Sequence, residues 1–276
     1  VGRVITNGPT YFAYDEEWLA RGHNLSPITV PFTNATFRQR ADAFDQLPGF
    51  LSDCLPDQWG RRIMDPEFSA LDVRATPLRM LAWVGRRGIG ALTFELALGG
   101  DDSASSWEAV TPALLIREAQ AVLREEPAPA FAHLQRGSTA GGALPKATIA
   151  RLKDGSVLVG GDVAAAIAAH PDARLGLLKL DCDGDSAGRE TDGRLEHATM
   201  AMARACGIRT ATTEIMRDTA AKRTRYHLFV ERFDTIPSSS RRFHLMTLAG
   251  ELHTHRLDYR QLLLTTRQLT RDQTEV

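Results

Sequence analysis

Gly137-Ser138-Thr139-Ala140-Gly141-Gly142-Ala143-Leu144-Pro145-Lys146 sets glycines, hydroxyls and one lysine between apolar segments. Such a loop presents successive backbone N–H groups with little side-chain obstruction, a geometry suited to phosphate oxygens. It is not a Walker A loop, because Pro145 precedes Lys146 where glycine is needed, and no G-x-G-x-x-G accompanies it. A surface hairpin would share this composition. Lys179 is a charge inside the apolar run Leu177-Leu178-Lys179-Leu180. It reads either as a cation awaiting a partner or as an edge lysine that discourages strand pairing. Glu196 opens the next helical segment, where a carboxylate also favours the helix dipole. Gly184-Asp185-Ser186-Ala187-Gly188 fits the G-x-S-x-G of esterases, with Asp234 and then His244, His253 or His255 downstream. Acidic residues precede that serine, Gly193 interrupts any immediate helix, and no oxyanion loop is evident, so the esterase reading ranks last. His253 and His255 lie two apart, which does not place them on one helix face as metal ligands. The basic run through Arg217, Lys222, Arg223, Arg225, Arg232, Arg241 and Arg242 suits phosphate, but it suits a solvated hairpin better.

The elements around these groups follow from hydrophobic spacing. Arg3–Thr6 and Thr10–Tyr14 read as a hairpin across Asn7-Gly8-Pro9, and Ile28–Phe32 as a short extended run. Phe44, Leu47, Phe50, Leu51 and Leu55 recur at helical spacing within Ala43–Met64. Leu78–Val84 follows as a helix and Ala91–Ala97 as a strand. The small, polar stretch from Gly99 to Ser106 reads as a linker, followed by an amphipathic helix over Pro112–Glu126. Strands are expected at Ala147–Leu152, Val157–Val159, Leu175–Leu180, Thr213–Arg217 and His227–Arg232. A helix from Leu195 to Cys206 ends at Gly207, and a helical tail runs over Arg256–Val276.

Composition narrows the classes. Over 276 residues, 43% hydrophobic and 24% charged content supports one or two globular domains and excludes disordered or collagen-like chains. Lys+Arg 33 against Asp+Glu 34 leaves −1, too little to hold nucleic acid or an acidic membrane by bulk charge. No apolar run nears the roughly 20 residues of a bilayer span. Cys54, Cys182 and Cys206 lack metal or disulfide spacing, which favours a reducing cytoplasm.

The order glycine loop, strand, turn, strand, lysine-bearing strand, glutamate-bearing helix is that of a protein-kinase nucleotide lobe. More specifically, the chain resembles the HipA family of bacterial serine/threonine kinases, the toxins of HipA–HipB toxin–antitoxin modules. The stretches that carry the likeness begin with Phe12-Ala13-Tyr14-Asp15-Glu16-Glu17-Trp18-Leu19, Leu25-Ser26-Pro27 and Cys54-Leu55-Pro56-Asp57. Val84-Gly85-Arg86-Arg87-Gly88-Ile89-Gly90-Ala91, the glycine loop, Lys179, the Glu196 helix and Val230-Glu231-Arg232-Phe233-Asp234 complete them. The resemblance implies an α+β fold, with a HipA-type N-terminal subdomain over 1–98. Over 108–276 it implies a kinase-like small lobe and the start of a helical large lobe. It implies ATP and Mg²⁺ as cofactors, with Lys179 binding phosphates and Glu196 orienting it. Gly141, Gly142 and Lys146 would belong to the phosphate loop, and Glu231 and Phe233 would bracket adenine at the hinge. Ser138 would be the regulatory autophosphorylation site. The family's catalytic Asp–His–Asn loop and metal-binding Asp are expected to follow Glu275, so no catalytic residue is assigned here and these residues alone should not transfer phosphate. Implied partners are a HipB-like DNA-binding antitoxin and a protein substrate such as an aminoacyl-tRNA synthetase, with no membrane and no direct nucleic-acid contact. A non-catalytic HipA-like module that restrains a partner kinase is the alternative.

Overall fold

The computed structural model describes residues 1–6, 8–38, 44–96, 106–137, 142–182, 193–219 and 223–270. In chain order the elements are β1 (Gly2–Thr6), β2 (Thr10–Tyr14), α1 (Glu16–Leu19), β3 (Phe37–Arg38), α2 (Gly49–Ser52), α3 (Gln58–Ala70) and α4 (Pro77–Val84). Next come β4 (Glu108–Val110), α5 (Pro112–Leu123), α6 (Ala132–Gly137), β5 (Lys146–Arg151), β6 (Val157–Val159), α7 (Val163–Ala169) and β7 (Arg174–Lys179). The last are α8 (Gly193–Ala205), β8 (Thr213–Asp218), β9 (Arg225–Glu231), α9 (Leu248–Leu252) and α10 (Tyr259–Thr270). Helices interspersed with strands that pair only antiparallel among the described residues make this an α+β fold. The chain divides into two compact units, each discontinuous in sequence.

One unit comprises Val1–Leu55, Thr76–Leu81 and His244–Val276. Its sheet, in the order β1-β2-β3, is antiparallel. Alternation along Thr10–Tyr14 buries Phe12 and Tyr14, and Phe12 meets the Phe50 ring edge-on at 5.2 Å. The Glu251 carboxylate is buried yet satisfied, accepting from Ser26 Oγ at 2.8 Å and Ile28 N at 2.7 Å. The continuous helix expected over Ala43–Met64 is instead broken. Pro48 and Pro56 lack the N–H a helix needs, so α2 stops within one turn and α3 starts afresh after Asp57. Ile28–Phe32 and Ala91–Leu96 carry no strand. The tail helix is confined to Tyr259–Thr270 within the described residues.

The other unit comprises Pro56–Ala75 and Ala82–Phe243. Its six-stranded antiparallel sheet has the order β4-β6-β5-β7-β9-β8. On α5, Leu115, Ala119 and Val122 recur at helical spacing, and Thr111 caps the first turn through Leu114 N. Those residues pack with Trp59, Ile63, Phe131 and Leu134 against Ala147, Ile149, Leu178 and Phe229. A smaller cluster joins α7, through Val163 and Ala166, to Ala150, Leu158 and Leu175. β5 is therefore covered on both faces, and its residues 146–150 are all buried.

Gly176 marks the tightest point of this sheet. A Cβ there would stand 2.1 Å from Phe229 Cε2 and 2.8 Å from the Val230 carbonyl. Gly176→Ala is expected to destabilise this unit by about 1–3 kcal/mol through overpacking. A urea melt showing no loss would contradict that packing.

Candidate functional site

β5 and β7 run antiparallel with Lys146 opposite Lys179, so both lysines lie at one end of the sheet. Lys179 Nζ reaches Glu196 Oε1 of α8 at 2.5 Å, with side chains 32% and 38% exposed. At that exposure an ion pair contributes only about 0–1 kcal/mol to stability. Its larger effect is to fix the direction of an ammonium that still faces solvent. α8 can approach this closely because Gly193 begins it; a Cβ there would meet Leu228 Cβ at 2.8 Å.

Lys146 has a different environment. Its side chain is 3% exposed, and Nζ donates to Asp57 Oδ2 at 3.0 Å, Gly142 O at 2.6 Å and Leu144 O at 3.3 Å. Burial lowers its pKa, although the adjacent Asp57 carboxylate opposes that shift. Gly142 sits at φ +119°, a conformation side chains rarely adopt, with a hypothetical Cβ 3.2 Å from Lys146 Nζ. Ser138 and Gly141 lie outside the described residues, as do Ser186 and the rest of the G-x-S-x-G stretch.

Glu231 and Phe233 stand at the opposite end of β9. Lys179 pairs with Leu228 and Gly176 with Glu231, an offset of about 10 Å along the strand. Glu231 Oε2 accepts from Arg174 Nη2 at 3.3 Å, and Phe233 is 68% exposed. Both line a cleft of about 470 Å³ with Arg174, Leu175, Thr212 and Ile236, whereas Lys146, Lys179 and Glu196 are absent from its described lining. The structure thus gathers Gly142, Lys146, Lys179 and Glu196 at one end of the sheet, and Glu231 with Phe233 at the other.

Several charged groups turn inward. Asp181, two residues past Lys179, accepts from Arg223 Nη2 at 2.6 Å and Nη1 at 3.0 Å. Arg225 Nη1 donates to the Asp181 carbonyl at 2.7 Å. Burial raises the Asp181 pKa, but the Arg223 bonds outweigh it and the net shift is downward. Part of the basic run is thereby spent on internal pairs rather than on a free anion patch; Lys222 lies outside the described residues. The rings of His253 and His255 both stack on Phe44, with centroids 4.3 and 4.2 Å away. Among the described residues no group of three His, Cys, Asp or Glu could hold a metal ion. No helix among them is long and apolar enough to cross a membrane.

Asp57 and Trp59 belong to this site although spacing alone gave them no role in it. Asp57 caps α3 by accepting from Gly60 N at 2.7 Å. Asp before a helical run is a recognisable start signal, but its second partner lies 89 residues away.

The chain matches the family model for the HipA N-terminal domain over residues 1–95 and that for the HipA-like C-terminal domain over residues 138–276. It is also similar to a chain in the solved complex of the Shewanella oneidensis MR-1 toxin–antitoxin system HipA, HipB and its operator DNA. That likeness has a TM-score of 0.56 at 16% identity, covering 92% of this chain and 54% of that one. At such identity it speaks to the fold, and this chain spans about half the length of the matched chain. No curated protein sequence matches it.

Proposed function

Because the chain belongs to the HipA family, we propose that its six-stranded sheet is the nucleotide-binding part of a HipA-type serine/threonine kinase toxin. The observation that carries this reading is the Lys179–Glu196 pair, 2.5 Å long, at the sheet end that Gly142 also occupies. A lysine on a strand, oriented by a glutamate on the following helix, is how kinases neutralise ATP phosphates. Gly142 would contribute to the phosphate loop with Gly141 and Lys146, and Glu231 and Phe233 would flank the adenine. Ser138 would be the loop serine whose phosphorylation switches the enzyme off. Mg²⁺ would arrive with the nucleotide, since hard cations favour phosphate oxygens and few protein ligands.

The whole protein would transfer the γ-phosphate of ATP to a Ser or Thr of a cytoplasmic protein. A HipB-like antitoxin is the proposed partner, supported by the HipA–HipB–operator complex to which the fold is similar. With a net charge of −1, contact with DNA would come through that partner. Calorimetric titration with MgATP tests the reading: a single saturable site is expected, and no saturable heat at millimolar nucleotide would overturn it.

A further inference from the structure

We infer that Asp57 is the positioning residue of the end of the glycine loop, residues 142–146, clasping it to α3 through the Lys146 ammonium. The inference rests on reading that loop as a phosphate cradle. The two carboxylate oxygens divide their partners. Oδ1 caps α3 at Gly60 N, 2.7 Å away, and Oδ2 takes Lys146 Nζ at 3.0 Å. A lysine ammonium has three donors. Those of Lys146 meet Asp57 Oδ2 and the carbonyls of Gly142 and Leu144, so they brace the turn rather than point at a ligand. The first turn of α3 adds two further ties. Trp59 N donates to Gly142 O at 3.3 Å, satisfying a helix N–H that would otherwise lack a partner. Trp59 Nε1 donates to Lys146 O at 2.9 Å, deep in the core. The described end of the loop is therefore held at Gly142 and at Lys146 by one helix turn. Phosphate contact falls to Lys179, about a third exposed, while Lys146 fixes where the Gly142 backbone sits.

Asp57→Asn separates the clasp from the cap, because asparagine caps helices about as well as aspartate but carries no charge for Lys146. Two measurements on the intact chain decide the matter. Hydrogen exchange of the amides of residues 142–144, 146 and 147 should quicken about tenfold, with β8 and β9 unchanged. MgATP affinity should fall about tenfold, the weight of one charge-assisted hydrogen bond, with adenosine affinity unchanged. Lys146→Met should reproduce both effects and add nothing further in the double variant. Wild-type exchange in the loop with unaltered MgATP affinity would overturn the inference. So would equal losses for MgATP and adenosine with faster exchange throughout, which would mark a folding defect. A wild-type chain that binds neither ligand would sink the nucleotide reading alone, and the loop exchange of Asp57→Asn would still decide the clasp.

Discussion

Lys179→Ala is expected to weaken MgATP binding by about one to two orders of magnitude while adenosine affinity stays within twofold. The ammonium uses one of its three donors on Glu196 Oε1 at 2.5 Å, which leaves two for phosphate oxygens. Hydrogen bonds to charged groups contribute about 1.5–3 kcal/mol, and every 1.4 kcal/mol is tenfold in affinity. Adenosine lacks the phosphates and should not register the change. Glu196→Gln should cost less, because an amide oxygen can still accept from Lys179 and only the charge that directs it is lost. The pair is too exposed to stabilise the fold appreciably, so neither variant should move the melting temperature by more than a degree or two. Fluorescence titration with both ligands checks this. Unchanged MgATP affinity in Lys179→Ala would remove the lysine from the site.

The largest expected stability effect lies at Asp234. Its carboxylate accepts from Arg232 Nε at 2.8 Å and Nη2 at 2.6 Å, and from Gly90 N at 2.7 Å. Both side chains are almost fully buried, at 3% and 2% exposed. Asp234→Ala strands a guanidinium in the interior, which costs about 3–5 kcal/mol. For a chain of this size that corresponds to a drop of roughly 10 °C in melting temperature. Removing both charges, as in Arg232→Met with Asp234→Leu, should recover much of the loss, because a buried pair is expensive to break but not always to replace. Burial pushes the Asp234 pKa up, yet the Arg232 hydrogen bonds and charge pull it further down, so it lies below the ordinary carboxylate value. A carboxylate depressed by folding contributes its stability above its unfolded pKa of about 3.9 and loses it as pH falls through the folded value. The wild type should therefore lose stability in acid more steeply than the charge-free double variant. Parallel acid titrations of the two would contradict this account of the pair.

The strands and helix that carry the site were legible in the sequence for physical reasons. Gly155 and Gly207, both at positive φ, punctuate the segments around β5, β6 and α8. The apolar run around Lys179 is long enough to read as a strand with one misplaced charge. What was not legible is pairing at a distance. Nothing local to Asp57 or Lys146 announces their contact across 89 residues. Apolar spacing on either side of Pro56 hides in the periodicity the break that frees Asp57 to cap α3. Glu231 and Phe233 carry no chemical signature of their own; only the family resemblance singles them out as the proposed adenine contact. The resemblance alone sets both lysines at the phosphates; the proposed division, with Lys146 bracing the loop, rests on burial, 32% exposed at Lys179 against 3% at Lys146, which the sequence does not encode locally.

The most direct test of the nucleotide site is a crystal structure of this chain with Mg²⁺ and a non-hydrolysable ATP analogue. The prediction places phosphate oxygens within hydrogen-bonding distance of Lys179 Nζ and the adenine edge against the Glu231–Phe233 backbone. An analogue seated elsewhere, or phosphates directed away from Lys179, would contradict it.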